Sequence, residues 1–131
     1  MISLQNIFSE LKRVLEKNSG NFLIKDRYIG SQVKQQKPAY HLYGNKEVSL
    51  FGKKPQPTYI AGIIQQKNYV NFYFSLIYSH PELFSNISFD LKKFLKGKSC
   101  FNINKITTYI LKEIEDILKI GIKKYKEIEW I

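Results

Sequence analysis

The residues best suited to chemistry fall in two basic-aromatic stretches about one helix apart. They are Gln66-Lys67-Asn68-Tyr69-Val70-Asn71-Phe72-Tyr73-Phe74 and Lys96-Gly97-Lys98-Ser99-Cys100-Phe101-Asn102-Ile103. Each reads as a basic turn that feeds a strand. Strand alternation sends Val70, Phe72 and Phe74 to one face, with Phe101 and Ile103, and Tyr69, Asn71 and Tyr73 to the other. The first set makes a core. The second, joined by His41, Tyr43, Glu47, Ser49, Cys100 and Asn102, makes an open polar face. Lys67 and Lys98 would supply point charges to an anion. Asn71 and Tyr73 would orient it through hydrogen bonds, with His41 in reserve. Aromatic residues with polar tips also suit protein interfaces, so the same face could take a protein partner or a second copy as a homodimer.

Other chemistry has less to stand on. Cys100 follows Lys96 and Lys98, and nearby cations favour a thiolate, but no histidine is placed as its base. His41 and His80 have no zinc-spaced partner. Glu113, Glu115 and Asp116 form the densest acidic group, and Lys112 and Lys119 beside them point to a solvated ion-pair surface. Lys96-Gly97-Lys98-Ser99 has the ending of a phosphate loop without the upstream glycine, and a strand pattern follows it. No nucleophile elbow or dinucleotide fingerprint is present. The expectation is a protein that is not an enzyme, with no catalytic residue, metal or cofactor.

The chain has 131 residues and a formal charge of +10, enough length for a single domain spanning 1–131. The charge is diffuse. Residues 1–65 hold ten basic and four acidic side chains (+6), and residues 66–131 hold eleven and seven (+4). Arg13 and Arg27 are the two arginines, so the cations are nearly all lysines, which track phosphate more readily than they read bases. Single-stranded nucleic acid is therefore an alternative partner, with Tyr43, Tyr69 and Tyr73 stacking bases and Lys46, Lys67 and Lys98 on the phosphates. No apolar run reaches the length of a membrane span. The run Lys123 to Ile131 is short and mixed in sign, which argues against a membrane-surface helix. The single cysteine and the absence of a secretory pattern in Met1 to Asn6 point to the cytoplasm.

The elements follow from periodicity. Ser3 caps a helix with Leu4, Ile7, Phe8, Leu11 and Leu15 on one face, and Gly20 ends it. Phe22 to Ile24 suggests a short strand, and Val33 to Lys37 a polar connection. Pro38 opens a strand over Ala39 to Tyr43. Gly44-Asn45-Lys46 reads as a hairpin turn and Glu47 to Phe51 as the return strand. Thr58 to Gln65 and Tyr69 to Phe74 form a second hairpin, with Asn68 a candidate for positive φ. Pro81 and Ser88 start short helices, the second over Phe89 to Leu95. Ser99 to Ile103 is a strand. Asn104 is a candidate cap for a long last helix, in which Gly121 signals a close backbone contact. Short connections favour antiparallel pairing, so the fold class is α+β, a curved antiparallel β-sheet packed against N- and C-terminal helices.

With Lys37-Pro38-Ala39-Tyr40-His41-Leu42-Tyr43-Gly44 added to the two basic-aromatic stretches, the chain resembles the DUF1801 or YdhG-like family of small bacterial proteins, mostly of unknown function. The resemblance covers roughly residues 1–126. It implies the same α+β sheet with flanking helices. Some members are described as frataxin-like iron chaperones, which makes iron handling the first alternative. Such a role needs clustered carboxylates. The leading expectation is a non-enzymatic binding module for a small anionic ligand or a protein partner.

Overall fold

The computed structural model describes residues 3–25, 37–50, 52–97 and 99–131. Lys98 and residues 33–36 lie outside that set. Ser3 opens helix α1 (Leu4–Lys17), its Oγ accepting the Asn6 N–H at 3.1 Å and so satisfying one of the first turn's orphan donors. Ile7, Leu11, Val14 and Leu15 form the buried stripe. Gly20, just past the helix end, sits at φ 47°, a conformation glycine adopts without a Cβ clash.

Six strands follow: β1 (Leu23–Lys25), β2 (Ala39–Val48), β3 (Gln56–Gln65), β4 (Val70–Phe74), β5 (Leu95–Lys96) and β6 (Cys100–Ile103). All pairs are antiparallel, in the spatial order β1-β2-β3-β4-β6-β5. Between β4 and β5 run α2 (Leu76–Ser79), a 3-10 turn (Pro81–Phe84) and α3 (Phe89–Lys92), the last capped by Ser88. Helix α4 (Thr108–Glu127) follows β6. The class is α+β, an open antiparallel sheet with N- and C-terminal helices. Among the described residues, no helix is long and apolar enough to cross a membrane.

Alternation sorts the core as the pattern requires. Val70, Phe72, Phe74, Phe101 and Ile103 are fully buried. They join Ile7 and Leu11 of α1 and Ile114, Ile117 and Leu118 of α4 in one cluster. Phe72 stacks on Phe74 at 5.9 Å between centroids; burying each such ring contributes roughly 1.5–3 kcal/mol. Gly121 makes the close contact its position implied. A Cβ there would lie 2.5 Å from Leu76 Cδ1 and 2.9 Å from Phe74 Cζ, so the backbone of α4 presses onto the core at this point.

Four local expectations change. Gly44-Asn45-Lys46 is not a hairpin turn, because β2 runs straight through it. From Tyr43 to Glu47 β2 advances four residues while β3 advances two, Tyr59 to Pro57, so the segment is a bulge. Gly44 is small for another reason: a Cβ would meet Ile131 Cγ2 at 2.5 Å. The cap of α4 is Thr107, whose Oγ1 accepts from the Ile110 N–H, rather than Asn104. Asn68 does not take positive φ, since the turn closes through the Gln66 N–H to the Tyr69 carbonyl at 2.8 Å. The helix after Ser88 stops at Lys92, and Leu95-Lys96 becomes strand β5, with Gly97 (φ 70°) between it and β6.

Candidate functional site

The sheet face opposite the helices is closed at His41, Tyr43 and Asn71, half-buried at Tyr69, Tyr73, Cys100 and Asn102, and exposed at Glu47 and Ser49, so the expected platform is only partly open. Strand parity holds, but His41 is 0% exposed and Asn71 5%. For His41 the cause is Gly62, which pairs with it on one side and with Tyr73 on the other. A Cβ on Gly62 would come within 2.2 Å of both His41 Nδ1 and Tyr59 Oη. Without it the two rings lie down on the sheet and bond to each other at 2.8 Å.

The predicted residues therefore separate. Asn71 is engaged in full: its Oδ1 accepts from Gln66 Nε2 at 2.7 Å, and its Nδ2 donates to Asn102 Oδ1 at 2.7 Å and toward Cys100 Sγ at 3.5 Å. Lys37 donates to the other end of Gln66. Tyr73 is half-buried beside Cys100. Burial pushes the Cys100 thiol up from its ordinary value, against smaller downward effects of hydrogen bonds from Tyr73 and Asn71. Burial thus works against the thiolate that Lys96 and Lys98 would favour. Lys67 is exposed on the β3–β4 turn, and Lys98 lies outside the described residues. The acidic group also divides. Glu113 accepts from the Ser88 N–H and hydroxyl, while Glu115 accepts from Asn18 and Lys17, the bonds that hold its carboxyl below the usual range. Among the described residues no three His, Cys, Asp or Glu side chains gather as a metal cluster would need.

A cavity of about 380 Å³ lies at the other end of β3, roughly 30 Å along the ten-residue strand from Lys67. Three pieces of chain build it. The β2 and β3 ends bring Tyr43, Thr58 and Tyr59, the two tyrosine rings edge to face at 5.1 Å. The β4 end and α2 bring Ser75 and Ser79. The end of α4 and the segment after it bring Tyr125 and Trp130, their rings 5.1 Å apart. The chain turns back there through a Schellman motif. The Glu129 N–H reaches the Lys126 carbonyl and the Trp130 N–H the Tyr125 carbonyl, with Glu129 at φ 64°. A non-glycine residue in that conformation is strained, and the turn it makes lays Trp130 against Tyr125 and His80. Tyr78 and Lys53 also line the cavity, and Lys53 is the one charged side chain among the described lining residues.

The polar groups of the wall are ordered. Ser75 Oγ donates toward the Tyr59 and Ile60 carbonyls at 2.7 and 3.0 Å. That leaves its oxygen to accept from Tyr125 Oη at 3.0 Å. Ser79 Oγ stands 3.1 Å from Tyr125 Oη and 2.9 Å from His80 Nδ1. Burial raises the Tyr125 phenol above the ordinary tyrosine value, which the two serines oppose; the hydroxyl stays protonated and serves as a donor. Thr58 is different. It is 8% exposed, and its Oγ1 has no hydrogen-bond partner among the described residues. A buried hydroxyl without a partner costs about 1–3 kcal/mol, and such groups are rare enough to call for a reason.

A larger groove, about 870 Å³, runs beside α4 with Lys119, Lys123 and Lys126, but it is a shallow surface feature that also holds Glu127. The cavity at the β2–β3 end is the better candidate because it is narrower, aromatic and lined by oriented hydroxyls. Its residues come from separate elements and spell no motif. Two signals pointed there: Gly62, an isolated glycine inside a strand pattern, and Trp130, the single tryptophan. His41 is connected to the site after all, as the group that holds Tyr59 in the wall. No family model, curated protein or solved structure matches the chain.

Proposed function

We propose that this protein is a non-enzymatic binding domain whose small organic ligand sits in the cavity between the β2–β3 end and Trp130. One observation carries the reading: a concave space walled by Tyr43, Tyr59, Tyr125 and Trp130 and bordered by the hydroxyls of Ser75 and Ser79. Pockets of this kind, mostly apolar with a few placed polar groups, are the usual form of small-molecule sites. The ligand is anionic, because Lys53 at the cavity and the net charge of +10 both favour an anion. This moves the anion site of the sequence reading from Lys67 and Lys98 to Lys53. We keep the resemblance to the DUF1801 or YdhG-like family as part of the proposal, together with a reducing, cytoplasmic setting.

Trp130 reports directly on the site, since it is the only tryptophan. Titration with a panel of small anions, amines and neutral ring compounds should change its emission saturably for at least one class and raise the melting temperature. Val48→Phe, which fills the cavity from the rim of β2, should remove both responses. Binding that survives Val48→Phe but is lost in Lys67→Ala would return the site to the turn and refute the reading.

A protein partner is the second reading, favoured by Phe89 and Tyr109, which are 80% and 87% exposed. They stand on α3 and α4, two elements tied together by the Ser88–Glu113 bonds. A Phe89→Ser, Tyr109→Ser pair that loses a co-purifying partner while keeping ligand binding would assign the two roles to separate surfaces.

A further inference from the structure

Away from that cavity, we infer that the groove beside α4 takes a single strand of nucleic acid. The groove, about 870 Å³, shares no described lining residue with the cavity and none with the strand face of Tyr69 and Tyr73. One bank is a lysine row. Lys119, Lys123 and Lys126 stand at i, i+4 and i+7 on one face of α4, a run of about 10 Å at the helical rise. All three are exposed, and none is in an ion pair among the described residues. Glu115, one turn before Lys119, is held by Lys17 and Asn18. Glu127 is the one acidic side chain of the described lining, so the groove keeps an excess of positive charge.

The rest of the lining sets the class of polyanion. Phe22, Ile122 and Ile131 are half-buried and packed against the core, an apolar floor. Asn21 and Asn45 are exposed. The Lys126 ammonium lies over the Phe22 ring, 5.7 Å from its centroid. A base stacked on Phe22 takes that place, and the flexible Lys126 side chain moves to the phosphate beside it. The asparagine amides then meet base edges as donors and acceptors. A duplex hides its base faces from the ring. An acidic peptide matches the lysines but leaves the ring and amides without a counterpart. An anionic bilayer needs apolar side chains that project, and here they form a floor. Lysines without an arginine fork follow phosphates rather than read bases, so the strand is recognised without regard to its sequence.

The test is fluorescence anisotropy of a short labelled oligothymidylate titrated with the full chain. Three lysines on phosphates predict a slope of about −2 for the logarithm of affinity against the logarithm of salt concentration. Lys119→Gln, Lys123→Gln and Lys126→Gln together should weaken binding about tenfold at low salt and bring the slope near zero. An equal loss of exposed charge elsewhere, Lys67→Gln, Lys92→Gln and Lys105→Gln, should cost less than about twofold. Both triple variants replace exposed side chains, so they should melt alike. Phe22→Leu keeps the floor apolar and should cost about fivefold with the slope unchanged. Val48→Phe should have no effect, which separates this site from the cavity. Equal losses in the two triple variants would reduce the binding to net charge and overturn the site. Tighter binding of polyglutamate, of a duplex of the same length or of phosphatidylserine vesicles would overturn the partner class. No binding of the oligonucleotide at low salt would overturn the inference outright.

Discussion

The two ends of the sheet handle polar groups in opposite ways. At the β3–β4 turn, Lys37, Gln66, Asn71, Asn102 and Cys100 form a closed chain in which each amide is answered by a neighbour. At the β2–β3 end, hydroxyls converge on a cavity and one of them, Thr58, is left over. Both ends look polar in sequence. The first is polar for structure, because buried amides that satisfy one another set the register of β4 against β6. The second keeps one buried hydroxyl without a partner among the described residues, which costs stability.

That contrast can be broken at its hinge. Gly62 separates the ends, and its missing Cβ lets His41 and Tyr59 lie flat. Gly62→Ala forces both rings off the sheet and should lower stability by about 1–3 kcal/mol. It should also cut binding in the cavity, because Tyr59 is a wall residue. Chemical denaturation gives the first number and Trp130 titration the second. Unchanged stability would mean that the rings move at no cost.

Removing the amide of Asn71 sharpens the comparison from the structural side. Asn71→Ala leaves Gln66 and Asn102 without their partner in a buried setting, for a loss of about 1–3 kcal/mol. Binding at the far end should not change. A binding defect equal to the stability defect would show that the two ends are not separate.

The opposite sign is expected at the cavity. Thr58→Val keeps the shape and deletes the unsatisfied hydroxyl, so the ligand-free protein should gain about 1 kcal/mol. Chemical denaturation of the free protein gives the number. Destabilisation would mean that the hydroxyl has a structural partner.

The smallest effect is one of pH. Burial raises the Tyr125 phenol above its ordinary value near 10, so the folded state favours the neutral form. Its contribution is intact below about pH 10 and fades as the pH rises through and above that value. Melting curves of the wild type and Tyr125→Phe should therefore converge as the pH is raised from about 8 to about 11. Curves that stay parallel would place the phenol in water.

Much of the fold was legible in the sequence because period and capping are local signals. The stripe of α1, the Ser3 and Ser88 caps, the parity of Val70 to Phe74 and the close contact at Gly121 are all written in short spacings. Gly44 was misread because a glycine before Asn-Lys has the composition of a turn, whereas its smallness serves Ile131, far away in the chain. Thr107 displaced Asn104 as a cap because its own hydroxyl accepts the Ile110 N–H and starts the helix three residues later. The site was less legible. His41, Asn71 and Tyr73 were placed on the correct face, but burial of His41 depends on rings laid over Gly62 and that of Asn71 on Gln66, Asn102 and Cys100 around it, which no periodicity reveals. Thr58, Ser75, Ser79, Tyr125 and Trp130 meet only through the fold.

Backbone and side-chain chemical-shift mapping by NMR, with the panel compound that changes Trp130 emission most as the probe, tests the central claim most directly. The account predicts that the shifts gather on Thr58, Tyr59, Tyr125 and Trp130 and leave Lys67, Asn71 and Asn102 unmoved. Shifts centred on the Lys67 turn, with the Trp130 indole unchanged, would contradict it.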